Sequence, residues 1–133
     1  MSKSVAKEFA ASIVHHVDKL KEECRNIDNS ISRVVFENKV AFYVGDMMQN
    51  IRFELCTLLN NILAYESDKI NNCVIGLKEE LDAVKDFLHK VIENLLVKYE
   101  VEIKSKVYVE FYYGMMGLYE LALIPVTPKY ILS

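Results

Sequence analysis

The sequence predicts a mainly α fold, an antiparallel bundle of four or five helices. Three observations carry that expectation. Apolar residues recur at alternating steps of four and three from Ala6 to Ile27, and again from Ile70 to Leu95. Gly and Pro, which punctuate helices, number only 4 and 2. The chain is 133 residues long, with 52% hydrophobic and 26% charged residues. That composition excludes intrinsic disorder and low-complexity classes, and the length fits one helical domain over 1–133 with a core that needs no staples.

The first helix is expected over about residues 3–26, with Ala6, Ala10, Ile13, Val17, Leu20, Cys24 and Ile27 as its inner seam. Asp28-Asn29-Ser30 then supplies turn and capping chemistry. The stretch 31–44 supports two readings. Val34-Val35-Phe36 and Val40-Ala41-Phe42-Tyr43-Val44 flank the polar Glu37-Asn38-Lys39, as in a hairpin, yet no Asn-Gly type of turn joins them. Gly45-Asp46 is expected to mark a break or a helix start.

From Met47 to Tyr65, Met48, Ile51, Leu55, Leu58 and Ile62 form a core-facing helical stripe, widened by Leu59 and Leu63. Ser67-Asp68 is expected to end this helix and cap the next. Val74, Leu77, Leu81, Val84, Leu88, Val91 and Leu95 continue the cleanest seam in the chain. The helix is expected to continue beyond Lys98, because no Gly or Pro interrupts Leu77 to Tyr113. Odd-numbered apolar and even-numbered charged residues after Tyr99 support a strand instead, so the alternative fold is α+β, with a small sheet from 31–44 and 97–113. Gly114-Met115-Met116-Gly117 is expected to loosen the chain before a short helix ending at Pro125.

Several function classes lose support on the same page. The net charge is −3, and Lys98, Lys104 and Lys106 are interleaved with Glu100, Glu102 and Glu110, so no basic stripe for nucleic acid forms. No nucleophile elbow and no Gly-rich phosphate loop is present, so the chain is read as a non-enzyme without a cofactor. Asp82, Asp86, His89 and Glu93 form a ridge that has metal-ligand chemistry, but the heptad turns it outward and no second such motif faces it, so no metal is expected. No signal peptide or membrane span is expected, since Glu110 and Glu120 interrupt the apolar run 107–124. Cys24, Cys56 and Cys73 have no paired spacing and read as free thiols of a reducing, cytoplasmic compartment. Nine Asn against one Gln, and thirteen Lys against three Arg, resemble the AT-rich coding of viruses and some archaea, which is a property of a genome and not of a function.

What remains is an interaction or assembly protein. Six of the eight tyrosines follow residue 98, and between 107 and 124 only Glu110 and Glu120 are charged. Tyr and Met are enriched at protein interfaces, and an apolar surplus of this size marks one. Tyr108, Phe111, Tyr112, Tyr113, Met115, Met116 and Tyr119 are therefore the expected interface. The expected partner is a second copy, as a two-fold dimer, or another protein. The alternatives are an apolar ligand or lipid held between helices, and a regulatory role, of viral type, binding a partner helix.

Overall fold

In a computed structural model, which describes residues 4–66 and 76–123, neither ambiguous stretch is strand: 33–44 and 104–113 are helix, and 99–103 is a turn. Four helices, α1 (Ser4–Arg25), α2 (Arg33–Glu66), α3 (Leu77–Lys98) and α4 (Lys104–Leu123), account for the described elements. No strand occurs among the described residues, so the sheet alternative for 31–44 and 97–113 is overturned. The expected positions Ile70, Val74, Ser67 and Asp68, and the end at Pro125, lie outside the described residues.

α1 buries Phe9, Ile13, Val17, Leu20 and Cys24, and Ile27 follows in the turn. The turn closes locally: the Ser30 amide donates to the Asp28 carboxylate at 2.8 Å, and Ser32 caps α2 through its hydroxyl and carbonyl. Inside α2, Phe36, Val40, Ala41 and Val44 are buried at helical spacing, while the strand-forming Val34 and Val35 face solvent. Burial at a period near four outweighs local β propensity here. The same force carries α2 through Gly45 without a break. One glycine costs a helix about 1 kcal/mol, and the neighbouring Val44, Met47, Met48 and Ile51 are all buried.

α3 buries Leu77, Leu81, Val84, Leu88, Val91, Ile92, Leu95 and Leu96, close to the expected seam. Glu79 and Glu80 in its first turn and Lys98 in its last complement the helix dipole. The helix does not continue as expected. The Val101 amide donates to the Leu96 carbonyl at 2.9 Å and the Glu100 amide to the Val97 carbonyl at 3.2 Å, the Schellman closure. Its left-handed position is Glu100, at φ 53. α4 then runs unbroken through Gly114 and Gly117, burying Val107, Phe111, Met115 and Leu118.

The four helices share one hydrophobic core. α2 packs on both α1 and α4, and α3 on both α1 and α4. Consecutive helices are antiparallel, so α2 and α4 run parallel: Glu37 meets Glu102, Asn38 meets Lys106, Met48 meets Gly114 and Arg52 meets Gly117. Glu37, 4% exposed, accepts the Glu102 amide at 2.7 Å, while Arg33 lies 3.7 Å from Glu37 and donates to the Tyr99 carbonyl. This clip ties the α3–α4 turn to the start of α2.

Candidate interaction surface

The α2–α4 seam begins with three small residues. A Cβ added to Gly114 would lie 2.7 Å from Met48 Cγ, and one added to Gly45 would lie 2.6 Å from Glu110 Oε2. Gly117 lets the Arg52 side chain lie across α4, 3.2 Å from the corresponding point. With no side chain at these positions the helices close up, and the residues flanking the seam stand out on either side of a groove. The groove holds about 440 Å³ and is bordered by Gln49, Arg52 and Phe53 of α2 and by Glu110, Tyr113 and Glu120 of α4. Next along the seam, Phe42 and Val109 share a second hollow of about 410 Å³.

The rims of this groove are apolar and open to water. Phe42 is 68% exposed, Phe53 74%, Tyr113 68% and Val109 49%. Isolated exposed hydrophobics are ordinary, but Phe42, Phe53, Val109 and Tyr113 along one seam form a patch. Charges divide it in a fixed order. From the N-terminal end come Lys106, the Phe42–Val109 pair, Asp46 with Glu110, the Gly114 crossing, Arg52, Phe53 and Glu120. Read from the opposite end, the same row places acid where base stood and apolar where apolar stood.

The structure divides the seven expected interface residues into three groups. Tyr113 borders the groove, and Met116 is exposed on the outer side of α4. Phe111 and Met115 are 0% and 2% exposed inside the chain's own core, so their assignment to a surface is corrected. Over 107–122 the apolar run supplies one inner face and one outer face. Tyr108, Tyr112 and Tyr119 lie on the other edge of α4, against α3. There the His89 ring stacks on Tyr108 at 5.6 Å and Tyr108 on Tyr112 at 6.1 Å. His89 Nδ1 lies 2.9 Å from Glu93, Lys85 sits 6.0 Å over the Tyr112 ring, and Tyr119 donates to Asp82. Burial, the bond to Asp82 and the charges of Asp82 and Asp86 push the Tyr119 hydroxyl up to about 12. Burial, followed by Glu93 and Tyr112, also raises Tyr108. Asp82, His89 and Glu93 of the acidic ridge are thus engaged in joining α3 to α4.

Phe42 and Phe53 escape a reading of the sequence by segments. On one continuous helix, Phe42, Gln49 and Phe53 fall opposite Val40, Val44, Ile51 and Leu55, and two aromatics on a polar face are the signal. It becomes visible only once α2 is known to pass through Gly45. Cys56 lines the same groove, whereas Cys24 is buried and its thiol is raised to about 11 by burial and by Glu23. No helix among the described residues is long and apolar enough to cross a membrane. Comparison with protein-family models, with curated proteins and with solved structures finds no match.

Proposed function

We propose that the chain is a non-enzymatic assembly module that pairs with a second copy of itself across the α2–α4 face. The observation that supports this is the order of side chains along the seam. A two-fold axis near the Gly114 crossing lays one seam antiparallel on the other. Lys106 then faces Glu120 of the second copy, Asp46 and Glu110 face Arg52, and the Phe42–Val109 pair meets Phe53. Such self-complementarity is what an isologous interface requires. The exposed aromatics supply the buried centre and the charges fix register and orientation. Cys24 and Cys56 are unpaired thiols, which suits the reducing, cytoplasmic compartment proposed for the chain.

The test is sedimentation equilibrium at protein concentrations up to about 100 μM, a range that detects micromolar dimers. The wild type should be a dimer, and Phe53→Lys with Tyr113→Lys should be a monomer of unchanged helix content. Lys106→Glu should weaken the dimer, and Glu120→Lys added to it should restore the affinity. A monomeric wild type at that concentration overturns the proposal. So does a dimer indifferent to Phe53 and Tyr113, or a lipid found by mass analysis filling the groove of a monomer.

A further inference from the structure

The opposite side of the molecule carries a second feature, independent of the α2–α4 face. α1 and α3 run parallel, so both end together, and a cleft of about 280 Å³ lies between their last turns. Lys21 and Arg25 of α1 and Lys98 of α3 line it, and no carboxylate does. Among the described residues none of these three cations is ion-paired. Val91, Leu95 and Tyr99 form the floor, with the Asn94 amide beside them. The Lys98 ammonium lies 5.4 Å over the Tyr99 ring, and that ring packs on Phe36 at 5.6 Å.

Basic residues in a last helical turn ordinarily answer the helix dipole, and two helices end here. Each end carries about half a negative charge, so the pair offsets about one of the three cations. The start of α2 lies beside the cleft and adds to the positive side. A surplus of about two positive charges therefore remains over an apolar, partly aromatic floor, in a chain whose net charge is −3. Glu100 does not line this cleft; it lies across Tyr99 in an adjoining hollow, which Lys98 also borders and where Arg33 accompanies it.

We infer that the α1–α3 cleft binds a phosphate monoester that carries a small apolar body. A monoester has close to two negative charges at neutral pH, which matches the surplus. Arg25 suits bidentate contact with its oxygens, and Lys21 and Lys98 act as point charges. The body rests on Val91, Leu95 and the Tyr99 ring. The cleft is slightly smaller than sites for drug-sized ligands, so the body is no larger than one ring or a short chain.

The experiment is a titration of the 15N-labelled full chain with phenyl phosphate, following backbone amides by nuclear magnetic resonance. Saturable shifts confined to 21–25 and 94–99 are expected, with a Kd below about 1 mM. Inorganic phosphate should bind at least about tenfold more weakly, because it leaves the apolar floor uncovered. Arg25→Gln with Lys98→Gln should weaken phenyl phosphate by about tenfold or more. Both residues are exposed, so circular dichroism of this variant should match the wild type. Sedimentation with phosphatidylcholine vesicles containing phosphatidic acid separates the two sources of a monoester. Vesicle binding lost in the double variant assigns a lipid headgroup, and phenyl phosphate binding without vesicle binding assigns a soluble ligand. No saturable shift at 94–99 by about 10 mM overturns the inference. Equal binding by the double variant overturns it as well, as does phenol titrating the same amides as strongly as phenyl phosphate.

Discussion

Replacing Gly114 with Ala asks directly how tightly α2 and α4 are pressed together. The new Cβ would stand 2.7 Å from Met48 Cγ and 2.9 Å from Met48 Cε, and closer still to Met48 Cβ. Carbon atoms pack at about 3.5–4.0 Å, so the two backbones must part by about 1 Å at this crossing. The rest of the thioether can swing aside, but the Met48 Cβ moves only with α2. Overpacking of this kind costs about 1–3 kcal/mol, and the better helix propensity of Ala returns about 1 kcal/mol. The expected net effect is a loss of up to about 2 kcal/mol. Gly117→Ala is the control. Its Cβ meets only Arg52 Cδ and Nε at 3.2 Å, and that long side chain yields. Propensity then dominates, and stability should rise by up to about 1 kcal/mol. Urea unfolding followed at 222 nm, at one protein concentration, gives both values with the slope as a check on two-state behaviour. A Gly114→Ala protein as stable as Gly117→Ala would refute the close-packed seam.

Glu37→Ala should lower stability by about 1–3 kcal/mol, because it leaves the Glu102 amide without its buried acceptor; hydrogen exchange at Glu102 should accelerate more than at Leu88. The raised Tyr119 hydroxyl stabilises the fold fully below its ordinary value of 10.0, and this contribution fades as pH climbs toward about 12. Absorbance titration at the tyrosinate band should show Tyr119 titrating late, and Asp82→Ala should move that component earlier; an unchanged curve counts against the Tyr119–Asp82 bond. For Glu54 burial acts upward, but hydrogen bonds from Ser12 and His16, then the nearby His16 and His15, bring its pKa below the usual 4.5. Its stabilisation is present above that value and is lost as pH falls through the lowered one, so His16→Ala should flatten the acid limb of stability against pH.

Periodicity made α1 and α3 legible. Ile13, Val17 and Leu20, and then Leu81, Leu88 and Leu95, obey one spacing, and burying them is the main force on those segments. The turn at 99–103 was not legible, because its left-handed residue is Glu100, where a glycine would have announced the helix end. Gly45, Gly114 and Gly117 misled in the opposite sense. Read locally they are breakers, but all three lie on one seam, and at Gly114 lost helix propensity is exchanged for close approach to Met48 on a helix far away in sequence. The outward face of α4 was half legible. Composition located the apolar surplus in α4, but only packing sorts Phe111 and Met115 inward from Tyr113 and Met116 outward. Phe42 and Phe53 needed the full length of α2, 34 residues or about 51 Å.

The clip between Glu37 and Glu102 joins residues 65 apart in sequence, whereas the α1–α2 and α3–α4 turns span only 7 and 5 residues. Closing the longer loop costs about 2 kcal/mol more chain entropy than closing either turn. The two helical hairpins therefore assemble early, and the parallel seam that joins them closes late. Substitutions at Gly114 or Glu37 should accelerate unfolding and leave the folding rate nearly unchanged, with φ-values near zero. The groove and its rims exist only after that closure. A second copy bound there, as proposed, would act as a lock on the last step of folding and slow the escape of a chain that has already folded.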